Sequence, residues 1–193
     1  MLTCEPALIL ASASSRRLQL LAQIGVAPDR ILAPDINEAP LSGELPRDCA
    51  RRLARAKAAT VPDPGCLVLA ADTIVAVGRR ILPKAETPEQ ARTCLNLLSG
   101  RRHRVITAVT LRHPRKPRAE RLVSSVVSFV SLSETQIRAY VETGEWRGKA
   151  GGYAIQGRAA GFIKFLSGSY SNVVGLPLFE TAQLLRGAGW PLP

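Results

Sequence analysis

Short apolar runs of strand length alternate along this chain with segments that have the apolar spacing of amphipathic helices. The run Ala7–Ala11 (ALILA) precedes a helical pattern that begins at Ser15 and closes at Gly25. A second apolar run, Leu67–Ala71 (LVLAA), follows the helical segment Arg47–Thr60. This alternation predicts an α/β fold (mixed α+β) in which helices flank a mixed sheet. With 193 residues, 46% of them hydrophobic, the chain suffices for one domain with a sizeable core.

The remaining elements are predicted from local patterns. We expect the strand at Leu67–Ala71 to end at Asp72, and Thr73–Val77 to form a hairpin with Arg80–Leu82. Two capping boxes mark helix starts, Thr87 with Gln90 and Ser133 with Gln136. Two long strands, Val105–Leu111 and Leu122–Leu132, flank a basic loop at His113–Glu120, and a last strand and helix are expected at Phe162–Leu166 and Pro177–Leu185. A composition change near Gly100 indicates two lobes within a single domain, 1–193.

Net charge and cysteine usage restrict the function classes. The formal charge of +11 favours anionic partners such as nucleic acid, phosphorylated metabolites or an anionic membrane surface. Because Cys4, Cys49, Cys66 and Cys94 lack C-x-x-C spacing, a zinc site is not expected and a reduced compartment is favoured. The chain has no uninterrupted apolar run of about 18 residues, and Met1–Leu10 does not have the pattern of a signal peptide. We therefore expect a cytoplasmic protein without a membrane partner.

The segment Ser12-Ala-Ser14-Ser-Arg16-Arg17 stands at a predicted strand-to-helix turn. The N–H groups of a helix start, serine hydroxyls and arginine guanidinium groups together make an anion site. A plain serine N-cap beside two solvated arginines explains the same residues. The chain contains neither a P-loop nor a G-x-G-x-x-G pattern, so those modes of phosphate binding are excluded.

Two carboxylates are candidates for chemistry. Asp72, expected just after a buried strand, lies where α/β folds place reactive groups, and it could take a proton from water or hold a metal. Glu38, in the loop Asp35–Pro46, could supply a second carboxylate, and Mg²⁺ needs little more than that beside substrate phosphates. A turn aspartate that caps nearby N–H groups explains Asp72 equally well, and a glutamate in a loop, taken alone, is more often an ordinary loop acid.

Lysines and a glycine-rich segment complete the candidates. Lys57 on the basic helix and Lys84 after the hairpin are ordinarily surface residues. The segment Lys149-Ala-Gly-Gly-Tyr-Ala-Ile-Gln156-Gly157 lets backbone approach a ligand, and a glutamine side chain can pair with the edge of a base. A glycine-rich lid or hairpin without a ligand has the same composition.

The order of these motifs resembles that of the Maf family of nucleoside triphosphate pyrophosphatases over almost the whole chain. The resemblance is carried by six blocks in the family's order: Ser12-x-Ser14-x-Arg16-Arg17, the acidic loop to Glu38, Ala54-Arg-Ala-Lys57-Ala, Ala71-Asp72-Thr73-Ile-Val, Leu98-Ser-Gly100-x-x-His103, and Lys149-Ala-Gly-x-Tyr153-x-Ile-Gln156-Gly157 through Val174-Gly-Leu-Pro177.

The resemblance implies a two-lobed mixed sheet around a central cleft, similar to the inosine-triphosphate pyrophosphatase architecture. It also implies hydrolysis of nucleoside triphosphates to monophosphate and pyrophosphate with a divalent metal cation (Mg, Mn or Co), and it suggests a homodimer. By the same resemblance, roles fall on matching positions as follows: catalysis on Asp72, Glu38 and Lys57, phosphate binding on Ser12, Arg16, Arg17 and Lys84, specificity on Arg16, Thr73 and Gln156, and metal binding on Glu38 and Asp72.

The residue after the aspartate narrows the expected substrate. Thr73 matches the subgroup that prefers dTTP and UTP or modified pyrimidine nucleotides, which implies a role in cleaning nucleotide pools. The chain departs from the family pattern in two places. Ser15 replaces a usual proline, which an N-terminal turn tolerates. Pro83-Lys84-Ala85 stands where Gly-Lys-Pro is usual, which changes the backbone on both sides of Lys84 and bears on its carried-over role.

Two other function classes remain open at this point. A nucleic-acid-binding or regulatory protein linked to septum formation and cell division is suggested by the net charge. Aromatic residues make up only 5% of the chain, and no basic segment interleaves with Phe or Tyr, so stable nucleic-acid binding is not expected. A nucleotide sensor without turnover is the third class, and assays of pyrophosphate release distinguish it from an enzyme.

Overall fold

The computed structural model describes residues 7–62 and 65–192, in which seven strands form one mixed sheet. The strands are β1 (Leu8–Ala11), β2 (Arg30–Leu32), β3 (Leu67–Val77), β4 (Arg80–Leu82), β5 (Arg102–Arg112), β6 (Ala119–Phe129) and β7 (Ile163–Ser167). Their order is β2-β1-β3-β5-β6-β7, with β4 paired to β3. β1 pairs in parallel with β2 and β3, and the other pairs are antiparallel. The predicted mixed α/β class is confirmed.

Helices cover both faces of the sheet. They are α1 (Ser15–Gln23), α2 (Pro46–Ala59), α3 (Pro88–Leu98), α4 (Glu134–Glu142), α5 (Tyr170–Val174) and α6 (Leu178–Gly187), with a 3₁₀ helix at Arg158–Phe162. α2 packs on one face, where its Leu53 lies in an apolar cluster with Ile74 and Ile106 of the strands. Buried side chains of α1, α3, α4, α5 and α6 join the larger cluster on the opposite face.

Local sequence patterns determine where several helices begin and end. Both capping boxes form: the hydroxyls of Thr87 and Ser133 accept hydrogen bonds from the backbone N–H groups of Gln90 and Gln136, and the backbone N–H groups of Thr87 and Ser133 donate to the side-chain oxygens of the same two glutamines. Pro46 opens α2, where its missing N–H costs no helical hydrogen bond. These starts are confirmed as predicted.

β3 does not end at Asp72 but runs without a break from Leu67 to Val77. The prediction of two separate strands was wrong because it took a charged residue as the end of an apolar run. β5 pairs with β3 continuously from Val68 to Ala76, and this long-range ladder carries the strand through Asp72. One sheet therefore underlies both predicted lobes.

Two other predictions require correction. β6 lies at Ala119–Phe129, three residues earlier than expected at each end, because its register against β5 fixes its ends, with Leu111 opposite Ala119. The chain leaves the sheet after a register shift at Ser128/Phe129. α5 was missed inside the glycine-rich part of the chain, where Ser169 caps it by accepting from the N–H of Asn172.

The predictions for Cys4 and for a missing signal peptide at Met1–Leu10 rest largely on residues 1–6, which lie outside the described ranges. Within those ranges, every helix is too short or too polar to cross a lipid bilayer.

Candidate active site

The site lies at a gap in the sheet along one side of β3. β1 pairs with β3 at Leu67–Leu69 and β4 pairs with it at Val75–Val77, so the segment Ala70–Ile74 lacks a strand partner on that side within the described ladders. β1 ends at Ala11, and the chain turns through Ser12–Ser14 into α1. A crevice beside the carboxyl end of a parallel strand is where α/β folds bind ligands. Asp72 was predicted to follow the end of its own strand. It instead lies within β3, beside the carboxyl end of the neighbouring strand β1.

Successive residues of β3 face opposite sides of the sheet. Val68 and Ala70 pack in an apolar cluster with Ala58 of α2, and Ile74 packs near Leu53 of the same helix. By the period of two, Asp72 points to the α2 side and Thr73 to the side of α1 and α5. The site thus has an acidic half and a hydroxyl-bearing half separated by the strand itself.

Asp72 and Glu38 are joined by one lysine. Lys57 Nζ on α2 lies 2.5 Å from Asp72 Oδ1 and 2.6 Å from Glu38 Oε1, and both Lys57 and Asp72 are nearly inaccessible to solvent. Lys84 Nζ makes an ion pair with Glu38 Oε2. Such buried ion pairs persist only where each charge has a partner. All four residues were predicted for the site, and the structure brings them into one alternating row of charges.

The two lysines control the ionisation of Glu38. Burial by itself raises the pKa of this carboxyl, but hydrogen bonds from Lys57 and Lys84 outweigh burial and hold the pKa at about 2. Glu38 is therefore ionised throughout the physiological pH range, and it keeps both ammonium groups in place.

Arg17 anchors the start of α1 to the opposite wall of the crevice. Its guanidinium donates from Nε to the Gly175 carbonyl at 2.9 Å and from one terminal nitrogen to Ser12 Oγ at 3.0 Å. The other terminal nitrogen donates to Thr73 Oγ1 at 3.4 Å. Burial lowers the pKa of Arg17, and the negative charges of Asp72 and Glu38 partly offset this effect. Within the described residues the Arg17 guanidinium forms no ion pair with a carboxylate, so it leaves positive potential inside the site.

The predicted phosphate-binding residues of the turn divide into two groups. Ser12 is buried, and its hydroxyl accepts from Ser14 N at 3.2 Å as well as from Arg17, so it holds the shape of the turn. Arg16 is half-buried and lines the cavity of the site. Burial and then repulsion from Arg17 lower its pKa. Arg16 is thus the more available cation of the pair.

Thr73 belongs to a chain of hydroxyl groups. Its Oγ1 lies 2.9 Å from Thr107 Oγ1, and Thr107 in turn donates to the Asn172 carbonyl at 3.1 Å. Gln156, expected across the cleft, is exposed and is not among the residues that line the cavity beside Thr73. The structure therefore brings Thr73 to the site but does not bring the side chain of Gln156 to it.

Two cavities meet at Asp72 and Thr73. The first, of about 110 Å³, is lined by Arg16, Arg17, Lys84 and Lys149 among others, and it has room for several water molecules. The second, of about 410 Å³, contains Glu38 and has mainly apolar walls from Leu53, Ile81 and Leu82. A ligand centred at Asp72 can extend into both cavities.

Lys149 is a site residue to which sequence reasoning gave no role. Its segment is joined to the one that carries Lys84, because Ala85 N donates to the Lys149 carbonyl at 3.2 Å and Gly151 N donates to the Pro83 carbonyl at 3.0 Å. Its place at the head of the glycine-rich motif was the available indication. The departure at Pro83 and Ala85 leaves this backbone pairing intact, since it uses the Pro83 carbonyl and the Ala85 N–H and C=O groups.

The donor set of the site fits a hard divalent cation with few protein ligands. Glu38 and Asp72 both touch Lys57 Nζ, so their oxygens converge on one region. No cluster of three or more His, Cys, Asp or Glu side chains occurs in the described part of the chain. Mg²⁺ is typically bound through one or two carboxylates and completes its shell with water and substrate phosphates.

Comparison with known proteins agrees with this geometry. A family model described as "Maf-like protein" matches residues 7–188. A protein named dTTP/UTP pyrophosphatase from Novosphingobium aromaticivorans is 59% identical over 187 residues, which cover 96% of this chain and 93% of that protein. A protein of the same name from Granulibacter bethesdensis is 59% identical over 199 residues, which cover 95% of this chain and 93% of that protein.

Among solved structures, a HAM1 protein from Coxiella burnetii aligns with a TM-score of 0.52 at 17% identity, over 94% of this chain and 99% of that one. This likeness concerns the fold, and it agrees with the mixed architecture expected from the sequence. The match to the family model and the high identity to its members over nearly the full length decide the relationship. This chain belongs to the Maf family.

Proposed function

We propose that this protein hydrolyses dTTP and UTP to the nucleoside monophosphate and pyrophosphate. The observation that carries the proposal is the row Asp72, Lys57, Glu38 and Lys84, set in a crevice at a strand end beside a cavity with cationic walls. The names of the relatives supply the substrate class. Removal of dTTP and UTP, or of modified pyrimidine nucleotides, would clean the nucleotide pool.

The charge of the site suits a triphosphate. Beside the proposed phosphate positions its two carboxylates are outnumbered by four cations, which gives a net charge of +2; the cations are Arg16, Arg17, Lys57 and Lys84. A triphosphate carries several negative charges, and a cationic cleft both attracts it and stabilises the charge that moves to the leaving group. We assign phosphate binding to Ser12, Arg16, Arg17 and Lys84.

Asp72 is the proposed proton acceptor. A water molecule beside its carboxylate would attack the α-phosphorus, the bond from that phosphorus to the α–β bridging oxygen would break, and pyrophosphate would leave with the bond electrons. The proton of the water passes to Asp72. Lys57 fixes the carboxylate through its short contact with Oδ1, and Glu38 fixes Lys57 from the other side. Specificity is assigned to Arg16 and Thr73, which line the cavity, and Gln156 is left out of this assignment because its side chain lies outside the lining.

A divalent cation (Mg, Mn or Co) belongs to the proposal, with Glu38 and Asp72 as its protein ligands. When bound, it would supply charge neutralisation at the phosphates. We expect exhaustive chelation to abolish hydrolysis and added Mg²⁺ or Mn²⁺ to restore it. Full activity after chelation would contradict this part of the proposal and leave the assignment of Asp72 in place.

The proposal treats 1–193 as a single catalytic domain, because residues from both halves of the chain line one crevice. We further propose a cytoplasmic homodimer. The cytoplasm is where a nucleotide pool of this kind would be found. The exposed aromatic side chains of Phe165, Tyr170 and Phe179 could form part of an interface with a second copy. Light scattering coupled to size-exclusion chromatography tests the dimer, and a monomer at all concentrations would exclude it.

The deciding experiment is a panel of nucleoside triphosphates with Mg²⁺, assayed separately for pyrophosphate and orthophosphate. We expect pyrophosphate as the product and the highest kcat/KM for dTTP and UTP. Orthophosphate alone would indicate cleavage at another bond. Binding without release of either product would indicate a nucleotide sensor.

A further inference from the structure

The smaller cavity changes character beyond Thr73. Its walls there are Val75 of β3 and Val105 of β5, which lie opposite each other in the sheet, together with Ile155 and Val173. Walls of this kind favour a flat ring with little charge over a hydrated phosphate group. This half of the cavity therefore suits the base of a nucleotide.

The positions of the Asp72 and Glu38 carboxylates determine which end of the nucleotide enters the apolar half of the smaller cavity. Hydrolysis requires the α-phosphorus near Asp72, whose side chain points to the α2 side, where Lys57 and Glu38 lie. Thr73 and Val75 point to the other face of β3. The nucleoside end then extends past Thr73 toward the apolar walls of the cavity that Lys149 also lines.

Lys149 differs from the other lysines of the site. Lys57 and Lys84 both contact Glu38, whereas no carboxylate within residues 7–62 and 65–192 forms an ion pair with Lys149. Its ammonium donates to the Arg147 carbonyl at 3.2 Å, which leaves two of its three N–H donors for a ligand. Burial and repulsion from Arg16 lower its pKa, because the cation is incompletely hydrated. An acceptor from a ligand would replace the missing hydration.

We propose that Lys149 is a specificity-determining residue whose ammonium donates to a carbonyl oxygen of uracil or thymine. The inference rests on the proposed function, since it requires that a pyrimidine nucleotide occupy the crevice. Uracil and thymine carry a carbonyl at position 4, where cytosine carries an amino group. An ammonium group has donors and no acceptor, so it binds the carbonyl and is mismatched with the amino group.

The test compares dTTP with dCTP in variants of one residue. We expect Lys149→Met to lower kcat/KM for dTTP by about 10–100-fold and to change dCTP little. In Lys149→Gln the amide oxygen can accept from the amino group of cytosine, so the ratio of dCTP to dTTP should rise. Lys164→Met, at an exposed lysine of β7, is the matched control and should change neither value.

Two further measurements separate the explanations. Inhibition by pyrophosphate should be unchanged in Lys149→Met; equal losses for dTTP and dCTP with weakened inhibition would mean that Lys149 binds phosphate, which overturns the proposal. Calorimetric binding of dTMP and dCMP needs no turnover. Suppose that the wild-type protein does not hydrolyse dTTP, but binds dTMP more tightly than dCMP, and that Lys149→Met loses this preference. Then the proposed function fails and the inference about Lys149 stands. Unchanged preference in a folded Lys149→Met variant overturns the inference about Lys149.

Discussion

Lys57 contacts Asp72 on β3 and Glu38 on the loop before α2, and both contacts are short. An ammonium group shared by two carboxylates leaves the trio with one net negative charge, which Lys84 balances from the solvent side. Removing one of these residues leaves the charge of its neighbour buried and unpaired, so each substitution disturbs both the charge balance and the geometry of the site. The reactive role and the structural role of these residues must therefore be separated by experiment.

Asp72→Asn makes that separation for the proton acceptor. The amide keeps the size of the side chain and can still accept from Lys57, but it cannot take a proton from water. We expect kcat with dTTP to fall by about 10²–10⁴-fold while the thermal unfolding transition is retained. Asp48→Asn on the exposed side of α2 is the control and should behave as wild type. Turnover near the wild-type rate in Asp72→Asn would refute the assignment.

Glu38 gives a pH-dependent prediction for stability. Its pKa is about 2 in the folded protein against 4.5 for an ordinary glutamate, so its ion pairs stabilise the fold fully above about pH 4.5 and are lost as the pH falls toward 2. Glu38→Gln should lower the free energy of unfolding at pH 7 by about 1–2 kcal/mol, allowing for solvent screening of this half-exposed group.

Denaturant titrations from pH 7 to pH 3 measure the difference between wild type and Glu38→Gln. That difference should narrow below pH 4.5. Glu142→Gln, at an exposed position of α4, should show no such narrowing. A difference that stays constant with pH would mean that Glu38 acts through packing rather than through its charge.

The loop that carries Lys149 is held close to the sheet by its glycines. Gly151 has φ of +70°, and a Cβ atom there would lie 2.8 Å from a methyl group of Val75. Gly148 has a similar φ of +64° but open space around it. The first glycine therefore serves both backbone conformation and close packing, and the second serves conformation alone.

This pair of glycines makes a controlled prediction. Gly148→Ala should destabilise the protein by about 1 kcal/mol through its backbone, and Gly151→Ala by roughly 2–4 kcal/mol, because it also forces the loop away from β3. KM for dTTP should rise in Gly151→Ala alone, since Lys149 moves with the loop. Urea titration and steady-state kinetics provide the measurements, and equal destabilisation by the two substitutions would contradict the packing argument.

Features of the fold that depend on residues close together in the sequence could be predicted, and those that depend on distant residues could not. The capping boxes at Thr87 and Ser133 and the start of α2 at Pro46 depend on neighbours within four residues, and they were predicted correctly. The continuity of β3 through Asp72 depends on its pairing with β5, where Ala108 lies opposite Asp72, and this continuity was not predicted.

The same distinction applies to the site. Motif order identified Asp72, Lys57, Glu38 and Lys84, but it could not show that one ammonium joins the two carboxylates, because those contacts connect β3, α2 and a loop. Lys149 stood at the head of the predicted motif but was given no role of its own, because its setting depends on the pairing of two loops and on its having no ion pair with a carboxylate of the described residues.

The charge of +11 is distributed unevenly, and its location decides which anions the protein can bind. Several arginines on the outer surface are paired with acids, as Arg55 is with Glu120 and Arg92 with Glu134. Lys57 and Arg17 lie inside a crevice and are buried, beyond the reach of the phosphates of a rigid duplex. The exposed cations Arg115 and Lys116 lie in the short loop between β5 and β6.

This distribution predicts weak binding to duplex DNA with no role for the active site. We expect Kd no tighter than about 10⁻⁶ M at physiological salt, with a steep loss of affinity as salt rises. Arg115→Gln combined with Lys116→Gln should reduce the salt dependence, because fewer counterions are released, and should leave dTTP hydrolysis unchanged. Fluorescence anisotropy of a labelled duplex at about 50–200 mM salt measures the affinity and its salt dependence, and the pyrophosphate assay measures dTTP hydrolysis.

Competition decides where the DNA binds. Saturating dTTP should not displace the duplex, since the triphosphate enters a crevice that the duplex cannot enter. Displacement by dTTP would place the duplex at the active site. A tight, sequence-selective complex would instead support the nucleic-acid-binding class, because non-specific attraction to exposed arginine and lysine cannot distinguish one base sequence from another.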